Sequence, residues 1–211
     1  MDRIIQIDTF SRYSRVSRET LISLKKYEKI LIEENKSLNL IGKSTIKSIW
    51  IRHFLDSFQV IDFIGKNDKS LVDLGSGAGF PGLILALASK DRKIPLKVKL
   101  VEKSPKKTKF LRKIIAELDL NAEVLSQNIF EEQITFNEDV FVARAFKPLN
   151  VIFELIHKKA KNWKKFFIFL GKTGKQELLG ASKIWDIQYK QRVSVTSNDS
   201  TIIEVKKFNK K

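Results

Sequence analysis

Four glycines within eight residues, directly after a short and largely apolar run, constrain this chain more than any other feature. The segment is Leu71-Val-Asp-Leu-Gly-Ser-Gly-Ala-Gly-Phe-Pro-Gly82. Leu71–Leu74 reads as a buried strand, and Pro81–Ala88 as a helix with proline in its first turn. Gly75, Gly77 and Gly79 tolerate left-handed backbone and close approach, so a ligand can lie against bare main chain. The helix that follows presents its N-terminus there, which favours an anionic group. Gly77–Gly82 also fits the pattern GxGxxG, which many unrelated loops share.

The surroundings of this loop repeat its strand–helix rhythm. Val98–Val101, Ala122–Leu125, Val140–Ala143 and Phe166–Leu170 read as further strands. Ser104-Pro105 opens a helix whose buried side is Phe110, Leu111, Ile114, Ile115 and Leu118, and Leu149–Ala160 reads as another. Such alternation predicts an α/β fold: a mostly parallel, doubly wound sheet with right-handed crossovers. Trp185–Val195 and Thr201–Val205 are expected to add an antiparallel edge around the turn signal Ser197-Asn198-Asp199. Before the loop, Leu21, Leu24, Tyr27 and Leu31 recur at helical spacing. After a loop at 35–43 with Gly42 as breaker, Ile46, Trp50, His53, Phe54, Phe58 and Ile61 mark one face of a second helix. The expected organisation is therefore a helical extension, 1–66, packed on a Rossmann-like domain, 67–211. Ligands in such sheets bind at the carboxyl ends of the strands, near the switch point.

Two acids decide between ligands. Asp73 precedes the first glycine, where it would repel a pyrophosphate but suit a cationic amino acid moiety. Glu102 closes the next strand, where a carboxylate can accept both ribose hydroxyls. Their separation exceeds the roughly twenty residues of a compact dinucleotide unit. The residues thus favour S-adenosylmethionine over a nicotinamide dinucleotide, and hence a class I methyltransferase fold. An NAD-dependent oxidoreductase is the competing reading on the same fold. A tight turn packing helix on sheet, with both acids merely solvated, is the plainer one.

Composition narrows the chemistry. The chain has 211 residues, no cysteine and two histidines, which removes thiolate nucleophiles and makes a histidine-rich metal site improbable, so no metal is expected. Its formal charge is +16, from 40 Lys and Arg against 24 Asp and Glu, which points to a phosphate polymer, although a compositional bias toward lysine would produce the same excess. Lys103, Lys106, Lys107, Lys109, Arg112 and Lys113 crowd one segment; Lys158, Lys159, Lys161, Lys164 and Lys165 crowd another. The amino terminus has no signal-peptide core. The longest apolar stretches, Gly82–Ala88 and Phe166–Leu170, are too short to span a bilayer, so a soluble cytoplasmic protein is expected.

Four separated stretches, in the same order, resemble the RsmG (GidB) family of small-subunit ribosomal RNA guanine-N7 methyltransferases. Leu38-Asn-Leu40 resembles its YNL segment, and Arg52-His-Phe-Leu-Asp-Ser57 its RHxxDS helix. Val72–Gly82 resembles its DVGTGxGxPG loop and Ala143-Arg-Ala-Phe146 its SRAF segment; Lys109-Phe-Leu-Arg112 also fits. The resemblance runs from about residue 20 to the end. It implies that Gly75 and Phe80 contact the methionine part of the cofactor and that Ile129 and Phe130 hold its adenine, partly through main chain. Arg144 would stand beside cofactor and target base. Arg52, His53, Lys106, Lys107 and Lys172 would position RNA. The implied substrate is a guanine of the 530 loop in 16S rRNA, naked or within the small ribosomal subunit, for a monomer that uses neither DNA nor a membrane. This chain departs from the pattern where Ile129-Phe130 replaces a small residue and an acid, and where Gly171-Lys172 reverses the usual order.

Several of these residues have simpler explanations. Arg52 and Asp56 lie four apart, as in an ordinary helix ion pair. His53 lies on the apolar face with Trp50 and Phe54, as a satisfied core histidine would. Arg144 stands just beyond a strand end in a segment with little other polarity and is harder to dismiss. The inventory suits the implied reaction. Guanine N7 carries an in-plane lone pair and no proton, so it needs alignment and exclusion of water but no general base. No catalytic acid or base is therefore expected. A catalytically silent RNA-binding protein with the same fold remains a third reading.

Overall fold

The computed structural model describes residues 1–131 and 133–211. Two helices lead the chain, α1 (Arg3–Ser14) and α2 (Arg18–Leu38). Asp2 and Ser17 cap them by accepting from the amides of Ile4 and Thr20. The sequence reading assigns no helix to 3–14, because its apolar residues do not gather on one face.

The expected second helix is broken. A 3-10 turn (Lys43–Ser48) passes into a π-helical stretch (Trp50–Leu55), one α-helical turn α3 (Asp56–Phe58) and another 3-10 turn (Ile61–Phe63). Its apolar face survives, since Trp50, Phe54 and Phe58 are all buried. The widened turn has a use: the Asp56 amide reaches back five residues to Ile51, and the Arg52 carbonyl accepts from the Arg144 guanidinium at 2.7 Å. Periodicity alone does not reveal such a bond to a residue 92 positions away.

Then follow β1 (Ser70–Leu74), α4 (Gly82–Asp91), β2 (Lys97–Val101), α5 (Pro105–Leu118), β3 (Ala122–Leu125), β4 (Val140–Arg144), α6 (Leu149–Lys159) and β5 (Lys165–Leu170). The chain continues through α7 (Gly174–Ser182), β6 (Trp185–Ser194) and β7 (Ser197–Lys210). The sheet order is β3-β2-β1-β4-β5-β7-β6, with β1 to β5 parallel and β7 antiparallel to both β5 and β6. This is the doubly wound sheet with an antiparallel edge that the alternation predicts. The last hairpin differs in detail. It turns at Val195-Thr196, and Ser197–Asp199 already belong to β7, which runs past Val205 to pair its far end with Trp185. Helix α7 carries no periodic apolar signal in the sequence, being short with few buried residues.

Strand alternation sorts side chains onto two faces. Leu71, Val98, Leu100, Val140 and Val142 join a core with α4, α5 and the N-terminal helices, while Val72, Leu74, Val101, Phe141 and Ala143 join another with α6 and the hairpin residues Trp185 and Phe208. Strand order reverses between β1 and β4, so their carboxyl ends open a crevice. No helix among the described residues is long and apolar enough to cross a membrane.

Candidate active site

A cavity of about 560 Å³ fills this crevice. Its floor is the loop between β1 and α4, which is tied down on every side. The Ser76 amide donates to Val101 O at 3.0 Å, and the Gly77 amide to Glu102 Oε2 at 3.0 Å. Tyr27, fully buried on α2, donates its hydroxyl to Ala78 O from below. Phe80 stacks on Tyr27 and on His53, with ring centroids 5.6 and 4.9 Å apart. A side chain at Gly75 would enter the Phe146 ring. At Gly77, by contrast, a Cβ would meet nothing nearer than Gly75 O at 3.8 Å, and φ is +56°. Gly77 is where bare main chain faces open space.

The two acids part company. Glu102 lines the cavity, its oxygens accepting from the amides of Gly77 and Ser104 at 3.0 and 2.9 Å. A carboxylate offers about four lone-pair sites, so it retains capacity for hydroxyls. Asp73 does not line the cavity. It shares the strand face of Leu71, points toward α4, and accepts from the Gly82 amide at 2.9 Å; its Oδ1 has no partner among the described residues. Burial pushes the Asp73 carboxyl up to about 7, against the downward pull of its hydrogen bonds to Gly82 and Ser76. Asp73 thereby anchors the start of α4 beneath the loop. Gly79 is likewise structural, packed against Leu83 and Tyr27.

Opposite the loop, Gln127, Asn128, Ile129 and Phe130 line the cavity beyond β3. Ile129 is buried and its carbonyl accepts from Lys159 Nζ at 2.6 Å; Phe130 is exposed and stacks on Phe146, centroids 5.9 Å apart. Leu40, Ile41 and Gly42 complete the wall. The Ile41 amide is held by Asn35 Oδ1 at 2.8 Å, and this buried asparagine at the end of α2 was the overlooked signal for that wall.

Arg144 ends β4 at the lip of the cavity. Its Nη2 donates to Arg52 O at 2.7 Å and to His53 Nδ1 at 3.2 Å, and its Nε lies 3.5 Å from Asp56 Oδ2. His53 therefore carries its proton on Nε2 and donates it to Thr45 Oγ1 at 2.9 Å. Burial, helped by the charges of Arg144 and Arg52, lowers its pKa to about 3, so the ring is neutral at neutral pH. His53 is both a satisfied buried histidine and a lining residue. The Arg52–Asp56 helix pair is not formed: Asp56 pairs with Arg144, while Arg52 turns its side chain to solvent and lines a neighbouring cavity. Lys107 reaches the cavity rim; Lys106 does not line it, and Lys172 stands elsewhere, 3.6 Å from Asp199.

The profile of a family described as rRNA small subunit methyltransferase G matches residues 20–204. The chain belongs to that family. The ribosomal RNA small subunit methyltransferase G of Pelagibacter ubique (strain HTCC1062) is 39% identical over 213 residues, covering 100% of each chain. That of Rickettsia akari (strain Hartford) is 35% identical over 195 residues, 92% of this chain and 98% of its own. The crystal structure of a SAM-dependent methyltransferase from Aquifex aeolicus matches the fold with a TM-score of 0.57 at 18% identity, over 82% of this chain and 97% of that one. This RsmG-family chain thus has the Rossmann-like class I methyltransferase fold, uses S-adenosylmethionine and methylates ribosomal RNA. The oxidoreductase reading is set aside. The residues present fit the cofactor: a bare-backbone floor at Gly77, a carboxylate at Glu102 and apolar walls at Ile129 and Phe80.

Proposed function

We propose that this methyltransferase modifies N7 of a guanine in the 530 loop of 16S rRNA, acting in the cytoplasm as a monomer on the RNA or the small ribosomal subunit. Gly75, Gly77 and Phe80 flank the methionine end of the cofactor, Glu102 accepts from its ribose, and Ile129 with Phe130 borders its adenine. When bound, S-adenosylmethionine supplies an electrophilic methyl group. Arg52, His53, Lys106, Lys107 and Lys172 position the RNA, with exposed lysines meeting its phosphates. The division at residue 66 follows the same reading: the extension supports the loop from below and the sheet domain carries the cofactor.

The observation that supports N7 lies at the lip of the cavity. Arg144, His53 and Asp56 are all engaged with one another or with neighbouring groups there, so among the described residues none at this lip is left free to act as a general base. An acceptor with a proton to lose would need one. Guanine N7 has none to lose, and it requires only alignment and a dry site. Arg144, whose desolvated guanidinium keeps its charge beside Asp56, is suited to guanine O6 or a phosphate. Incubating the protein with labelled donor and small subunits from cells lacking this gene, then analysing nucleosides by mass spectrometry, tests the proposal. 7-Methylguanosine is the expected product; label on a ribose or an exocyclic amine would overturn it.

A further inference from the structure

A second cavity, about 530 Å³, lies beside the first, and the segment Arg144–Lys147 lines both. Its other walls come from the end of β5, the turn between β6 and β7, and α7. Phe146 and Phe169 bring aromatic surface, and the volume suits a flipped-out nucleoside. Two carboxylates line this space, and they differ. Asp56 Oδ1 already accepts from Gln59, Ser194 and Thr196 at 3.0, 2.9 and 2.9 Å, and its Oδ2 faces Arg144. Glu177, half-buried in the first turn of α7, accepts among the described residues only from Thr173 Oγ1, at 3.0 Å, through Oε1. No donor among the described residues reaches its Oε2.

We infer that the second cavity receives the acceptor base and that Glu177 is its base-reading residue, accepting from N1–H and the N2 amino group of guanine; this rests on the function proposed above. A carboxylate only accepts, and it has two oxygens side by side. Guanine is the base whose Watson–Crick edge sets two donors next to each other. Adenine and cytosine place an acceptor beside their amino group, and uracil has one donor between two acceptors. Glu177 therefore matches guanine and repels the rest. The pairing also orients the ring. N7 lies across the base from N1 and N2, so an edge held at α7, on a wall the first cavity does not share, turns N7 toward Arg144 and Phe146 at the boundary. Charge-assisted, paired hydrogen bonds of this kind combine strength with geometry.

The test combines a protein change with a base change. Glu177→Ala should lower kcat/KM on undermethylated small subunits by about tenfold or more, while calorimetric affinity for S-adenosylmethionine stays unchanged. Subunits reconstituted with inosine at the target, which lacks the N2 amine, should cost the wild-type protein several-fold but cost Glu177→Ala nothing further. Glu177→Gln preserves volume and shape, and it should lose the same discrimination. Wild-type turnover in both variants, or an undiminished inosine penalty in them, would overturn the inference while leaving the function intact. A wild-type product other than 7-methylguanosine would bring down the functional reading itself, and that is read from the wild-type protein alone.

Discussion

The two long walls of the first cavity are built on opposite plans. The loop from Gly75 to Gly82 is almost wholly buried, with its amides and carbonyls held by Val101, Glu102, Asp73 and Tyr27. The facing segment, Gln127 to Phe130, buries only Ile129, and its local bonds run mainly to itself: the Phe130 amide donates to Asn128 Oδ1 and the Glu131 amide to Asn128 O. One wall is stiff because its neighbours forbid side chains; the other is shaped by where β3 ends. A stiff wall needs particular residues, whereas a wall defined by position tolerates many. This is why the family pattern holds in the loop and lapses at Ile129-Phe130.

Substitutions can break or sharpen that contrast. The largest effect is expected at Gly77→Val, where new bulk would occupy the open side of the stiff wall: donor affinity should fall by more than about a hundredfold, with a stability cost of about 1–2 kcal/mol from left-handed backbone. Normal calorimetric binding by this variant would show that the loop does not face the ligand. Next comes Arg144→Ala, at the junction of the two cavities. Turnover should drop by roughly tenfold or more, and unchanged turnover in a folded protein would demote the residue to scaffolding.

Acid comes third, and it acts on the stiff side through His53. A folded-state pKa near 3 lies below the unfolded value of about 6.5, so folding favours the neutral ring. Its contribution is complete above about pH 6.5 and is lost as pH falls toward 3. Asp73, held up near 7 by burial, works in the opposite sense over the same range, so the His53 contribution is read by difference: the stability of wild type relative to His53→Gln, from denaturant midpoints, should fall between pH 7 and 4, and a constant difference would refute the assignment. The smallest effect belongs to the tolerant wall. Phe130→Ala removes one exposed stacking partner of Phe146, a pair interaction of about 0.5–1.5 kcal/mol, so donor affinity should fall no more than about tenfold. A larger loss would mean that this wall is as demanding as the other.

The same contrast governs what could be read in advance. The parallel, doubly wound sheet with its antiparallel edge, the glycine floor, and the places of Glu102 and Arg144 at strand ends were legible because each follows from local rules: alternation, positive φ, and position at a strand end. The direction of Asp73 is legible too, since it shares parity with Leu71, although its charge by itself suggests a ligand. The π turn at Trp50–Leu55 and the Asp56–Arg144 pair were hidden, because both arise from contact between segments distant in sequence. Helix α7 and its Glu177 were passed over for lack of an apolar stripe, although that helix borders the second cavity.

The hydroxyl of Tyr27 meets a carbonyl 51 residues further along the chain, and this has a bearing on synthesis. Helix α2 leaves the ribosome well before the loop it supports, and although Tyr27 meets Phe54 and Glu28 meets Arg3 early, its packing against α4 and α5 must wait until those helices have also emerged. Donor binding on a nascent chain should therefore switch on late and abruptly, when the early helices find the sheet.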